Sequence, residues 1–171
     1  MRAIVRLALI ALAALAVAGG LAGGASAATS LKRQIVGTWE FVSLDIVAKD
    51  GSHINPYGSH PTGVTIFERN GHFAVVLTNP DRPKYASNDR LMGTAEEYKA
   101  TAEGVLAYAG TYTVDEAART YTMHIEASSF PNWIGGTQTR TIVSLTRGEL
   151  KFTNTTPSTG ASATVTLKRA K

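Results

Sequence analysis

His124 and Glu126 stand two residues apart in the run from Thr120 to Ser128, whose members alternate in type. In an extended strand residues i and i+2 share a face. Thr122, His124 and Glu126 therefore make one polar, titratable face, and Tyr121, Met123, Ile125 and Ala127 make an apolar one. A histidine beside a carboxylate suits general acid/base catalysis, because imidazole titrates near neutral pH and the carboxylate can tune it. In the run from 138 to 146, Gln138, Arg140 and Ile142 share a face, which can set Arg140 across from the pair. A buried His, Glu and Arg network would satisfy its own charges. The same alternation also describes an ordinary soluble sheet with His124 and Glu126 in solvent. Both orientations stay open on alternation alone.

Two further groups add candidates. Ser128-Ser-Phe-Pro-Asn-Trp-Ile-Gly135 follows the first run directly. In it Phe130 and Trp133 supply apolar surface, Pro131 stops strand pairing, and Asn132 can bond its own backbone or a ligand. The segment serves equally as a plug at the end of a barrel. Tyr108 and Tyr112 share a strand face with Gly110 between them, so two phenols can line a pocket or pack with satisfied hydroxyls. The histidines His53, His60, His72 and His124 form no closely spaced pair for a metal ion. There is no Gly-x-Ser-x-Gly elbow and no glycine-rich phosphate loop, so no cofactor and no metal is expected.

The elements that position these residues are short strands. Runs rich in Val, Ile, Thr, Tyr and Phe cover about 37–47, 63–68, 72–78, 109–114, 119–127, 138–146, 149–155 and 161–169, separated by Gly, Asn, Pro and Asp. Asn70-Gly71 suits a two-residue hairpin turn, and Gly148 after Arg147 suits the left-handed position of another. Consecutive hairpins imply an up-and-down meander, and eight strands can close into a barrel with room for side chains or one small ligand. Thr94-Ala-Glu-Glu97 has capping-box spacing, and Tyr98, Ala102, Val105 and Leu106 recur at helical spacing. One short helix is therefore expected over 95–107, preceded by a long polar connection through 79–90.

The chain of 171 residues begins with Arg2 and Arg6, an apolar run from Leu7 to Val17, and small residues ending in Ala25-Ser26-Ala27. This is the pattern of a cleaved export signal over 1–27, leaving one domain over 28–171 that is periplasmic or secreted. The apolar run is only about 11 residues and glycines follow it, so no membrane span is expected after cleavage. Removing Arg2 and Arg6 leaves 15 basic against 13 acidic residues, too even and scattered for a nucleic-acid surface. With no cysteine, the domain has no disulfide, thiolate metal site or cysteine nucleophile.

Several stretches together carry a resemblance. Ile35-Val-Gly-Thr-Trp39 resembles the first strand of lipocalins. Asn79-Pro-Asp-Arg-Pro83, Tyr108-Ala-Gly-Thr-Tyr112 and His124-Ile-Glu-Ala-Ser-Ser-Phe-Pro-Asn-Trp133 are similar, in that order, to the bacterial and fungal lipocalin-like domain family. The resemblance covers nearly all of 32–169. It implies an all-β, eight-stranded antiparallel up-and-down barrel, and it marks Tyr108, Tyr112, His124, Glu126, Asn132, Trp133 and Arg140 as ligand-binding candidates. The leading expectation is an exported protein that binds a small hydrophobic or amphipathic ligand, with His124, Glu126 and Arg140 fixing its polar end. The alternatives are an isomerase or hydratase with His124 as general acid/base tuned by Glu126, and an envelope interaction module without an internal site.

Overall fold

A computed structural model describes residues 30–155 and 161–171. The expected export signal lies outside them. Nine strands follow the turn punctuation: β1 Gly37–Val47, β2 His53–Ile54, β3 Thr62–Phe67, β4 His72–Thr78, β5 Val105–Asp115, β6 Thr120–Ser128, β7 Thr137–Leu145, β8 Glu149–Asn154 and β9 Ser162–Arg169. From β3 onward each pairs antiparallel with the next, and β9 returns to β1, so β1 and β3–β9 close an eight-stranded barrel. Closure leaves no long strand edge unpaired. The two-residue β2 pairs only with the end of β1, Ile46 facing Ile54 and Val47 facing His53.

Alternation decides what faces inward. Phe73, Val75 and Leu77 on β4, Tyr121, Met123 and Ile125 on β6, and Ala163, Val165 and Leu167 on β9 are buried at every second residue. Burying each large apolar side chain is worth about 1.5–3 kcal/mol, so a one-residue slip in any of these strands would forfeit several such terms.

The two ends of the barrel differ. One is closed by tight hairpins and by helix α1, Leu31–Ile35, whose first N–H groups donate to the Glu116 carboxylate at 2.8 and 2.9 Å. There Trp39, fully buried, donates its indole N–H to the Ile35 carbonyl at 2.8 Å. The Arg169 guanidinium lies 4.1 Å above the Trp39 ring and donates to the carbonyls of Gln34, Val36 and Arg147. It thus satisfies carbonyls that the end of a short helix leaves without partners. The other end carries the long connections 48–61, 79–104 and 129–136.

Local chemistry departs from expectation at three places. The turn after β3 is longer than two residues: Gly71 donates to the Glu68 carbonyl and takes φ +90°, while Asn70 accepts from the amide of His72. After β7, Gly148 does not take the left-handed conformation, because the Thr146 hydroxyl accepts from the amides of Gly148 and Glu149 and shapes the turn instead. Helix α2 spans Ala95–Glu103 and stops at Gly104, which donates to the Ala100 carbonyl at 3.0 Å. Its capping box forms as expected, Glu97 N–H to Thr94 and Thr94 N–H to the Glu97 carboxylate. Val105 and Leu106 leave the helical pattern because β5 takes them, opposite Thr78 and Leu77.

Between Ala109 and Gly110 the β5–β6 register shifts, and a Cβ on Gly110 would overlap the His124 carbonyl oxygen. Gly110→Ala is expected to cost about 1–3 kcal/mol, read as a lower urea midpoint at unchanged slope. An unaltered midpoint would show that the strands can part there without penalty.

Candidate functional site

The inward faces of all eight ring strands enclose a cavity below the end that carries the long connections. Water-sized spheres can centre themselves within about 60 Å³ of it, and the empty space between the walls, open solvent at the mouth included, is about 610 Å³. The smaller figure sets what fits at rest, because the larger one counts open solvent. One water needs about 10–15 Å³ of such space, so the chamber has room for several waters or one small ring.

Most of the wall is apolar, with Phe41, Leu77, Met123, Phe152 and Val165 prominent. The polar exceptions are Thr65, Arg140, Asn154 and the phenols of Tyr57, Tyr108 and Tyr121. Trp133, at the end of a single 3-10 turn over Pro131–Trp133, covers the cavity edge-on to Tyr108, ring centres 5.1 Å apart, and Phe130 backs it at 5.9 Å. Pro131 opens that turn, where its missing N–H removes no bond.

Three of the seven sequence candidates meet here: Tyr108, Trp133 and Arg140. The expectation that His124 and Glu126 point inward is corrected, since both are exposed on the outer face of β6. Tyr121, Met123 and Ile125 outweigh them, because burying three large apolar groups is favourable and burying two ionisable ones is costly. Arg140 therefore lies opposite Tyr121 rather than the pair, and His124 faces Thr137. Tyr112 is buried but belongs to the closed end, where its hydroxyl donates to the Glu68 carbonyl at 2.8 Å and its ring meets Phe67. Asn132 is exposed on the turn. Tyr121, Thr65 and Asn154 escaped the sequence reading, although each shares an inward face with apolar neighbours that marked it.

Arg140 is 2% exposed. Its Nη1 donates to Gln138 Oε1 at 3.1 Å and, at 3.4 Å, to the Thr139 carbonyl. Burial pushes the Tyr121 phenol well above its ordinary 10.0, with the nearby Arg140 charge opposing as the smaller effect. Tyr121 therefore stays protonated and neutral. Above pH 10 the unfolded chain gives up this proton while the folded chain keeps it. The Tyr121 contribution to stability is thus complete below pH 10 and is lost above it, at no more than about 1.4 kcal/mol per pH unit. Urea denaturation across pH 9–11 should show that decline, and Tyr121→Phe should make it shallower; identical slopes would mean that the phenol is not desolvated.

Among the described residues no cluster of three or more metal-ligating side chains occurs, and no helix is long and apolar enough to cross a membrane.

A family model described as a lipocalin-like domain matches residues 36–169. A curated relative, the 4′-hydroxy-3′-methoxypropiophenone carrier protein of Aspergillus oryzae, is 38% identical over 72 residues. That match takes in 39% of this chain and 65% of the relative, so the chain spans less than two thirds of the relative's length. Among solved structures, a lipocalin-like protein from Bacteroides uniformis is 12% identical, covering 80% of this chain and 99% of that one at a TM-score of 0.45. A redesigned β-barrel is 18% identical, covering 84% and 100%, at a TM-score of 0.43.

Proposed function

This chain belongs to the lipocalin-like domain family, and we propose that it is a carrier that holds a small, mainly apolar molecule inside its barrel. The observation that carries this reading is the apolar chamber under Trp133, built from every strand of the ring and holding a single cationic side chain. Such a site supplies affinity through its walls and orientation through its few polar groups. The Aspergillus oryzae relative supports it, because the molecule in that carrier's name has one aromatic ring with hydroxyl, methoxy and ketone groups. Room for several waters is room for one ring, and a larger guest would need Trp133 and Tyr108 to swing aside.

The isomerase or hydratase alternative lost its base when His124 proved to face solvent. The interaction-module alternative asks for one contiguous apolar patch. The exposed large apolar side chains among the described residues are Val42 on β1, Val76 on β4, Val143 on β7, Ile134 after the 3-10 turn, Leu91 and Met92 ahead of α2 and Tyr98 on it, and the outer apolar surface around Val76 is otherwise lined by alanines of β4, β5 and β6.

Native mass spectrometry of protein purified from its own host is the test, with a bound species of small mass expected. Repeated recovery of empty protein that also takes up no small aromatic probe would overturn the reading. Export belongs to the same proposal, supported by the three-part pattern of residues 1–27. An intact mass matching a chain that starts at Ala28 would bear it out, and a full-length mass in every cell fraction would refute it.

A further inference from the structure

Arg140 brings a permanent positive charge into the barrel. A buried cation needs a counter-charge or a full set of acceptors. Arg169 shows what a purely structural arginine looks like in this chain, with three backbone carbonyls and an indole face around it. Arg140 differs. Among the described residues, only Nη1 of its guanidinium has protein acceptors, both oxygens of its own strand. The ion pairs among the described residues are His53–Asp45, Lys99–Glu103 and Lys168–Glu40, and none involves Arg140. Residues 1–29 and 156–160 contain no Asp or Glu to supply a partner. The phenol across from it, Tyr121, is kept neutral by its burial. The group also lines the chamber, so its charge is presented to whatever enters.

We propose that Arg140 selects the ligand: it takes the anionic oxygen of a small aromatic acid, a carboxylate or an ionised phenol on one ring, as its counter-charge. This rests on the binding reading above and narrows it from apolar molecules in general to those with one acidic group. The bond is a charge-assisted hydrogen bond in a water-poor chamber, where it counts for more than at a surface. A neutral ligand of equal shape leaves the guanidinium unpaired and gains only wall contacts.

The test titrates the full chain with benzoate, with benzamide as its neutral isostere, and with toluene as the bare ring. Wild type is expected to bind benzoate at least about tenfold tighter than benzamide. In Arg140→Met that ratio should fall to about one while toluene binding persists, and Arg140→Lys should keep part of it because the charge remains. 4-Nitrophenol distinguishes the phenolate source: beside Arg140 it should ionise at a lower pH than it does free, seen as growth of phenolate absorbance. A preference for benzoate alone assigns the carboxylate; a shift of nitrophenol alone assigns the phenolate. Folding is checked by melting, where Arg140→Met should match or exceed wild type. Equal binding of benzoate and benzamide without a nitrophenol shift, or a preference that survives Arg140→Met, overturns this inference and leaves the carrier reading standing if toluene binds. An Arg140→Met chain that melts well below wild type makes Arg140 structural and overturns it as well. Failure of all four probes removes both readings.

Discussion

Trp39→Ala is expected to lose about 3–5 kcal/mol of stability, the largest effect of any single substitution considered for this barrel. The indole has no exposed surface and sits where α1, β1 and β9 meet at the closed end. Truncation leaves a hole that the strands cannot collapse into, because β1 is held on both sides by β3 and β9. It also takes the ring from under the Arg169 guanidinium, a further loss of about 0.5–2 kcal/mol, and strands the Ile35 carbonyl. Domains of this kind hold only about 5–15 kcal/mol in total, so much of the reserve goes at once. Trp39→Phe keeps most of the burial and loses the N–H bond, and should cost about 1–2 kcal/mol. Urea denaturation ranks the two variants; equal and small losses would show that the closed end is not the barrel's anchor.

Ala163→Leu should abolish binding while sparing the fold. Ala163 is an inward residue of β9, opposite Ile46 on β1 and Asn154 on β8, and its methyl lines the chamber. Three added carbons enter space that is already empty, so stability should change by less than about 1.5 kcal/mol. The same carbons occupy the place of a ligand ring. Affinity for toluene or benzoate should fall at least about a hundredfold, since each tenfold is about 1.4 kcal/mol of lost contact or added strain. Calorimetric titration reads the loss. Unchanged affinity in a folded Ala163→Leu protein would put the ligand somewhere other than the chamber.

Strand positions were legible because turn chemistry brackets them, and the capping box at Thr94 and Glu97 announced the start of α2. The inward face of β6 was not settled by alternation, which fits either orientation and led to His124 and Glu126 being placed inside; the sizes of the side chains decided it. Tyr121, Met123 and Ile125 are larger and more apolar than Thr122, His124 and Glu126, and hydrophobic burial dominates the choice of face. Arg140 carried its own marker, sharing a face with Ile142. Depth was not legible. Tyr108 and Tyr112 occupy the same face of β5, yet one lines the chamber and the other packs below it, which depends on how far along the barrel each lies. Helix α1 was missed because its N-terminus is held by Glu116, some 85 residues away. The end of α2 was overrun because Val105 and Leu106 fit both a helix face and a strand, and pairing with β4 decided it.

The most direct measurement of the central claim uses two methionines as reporters. Met123 lines the chamber, whereas Met92 is 69% exposed on the connection ahead of α2. With methionine methyl groups labelled with carbon-13, titration with benzoate or toluene should shift and finally saturate the Met123 signal and leave that of Met92 in place. A Met123 signal that stays fixed at saturating probe, with Met92 moving or not, would contradict a carrier that holds its ligand inside the barrel.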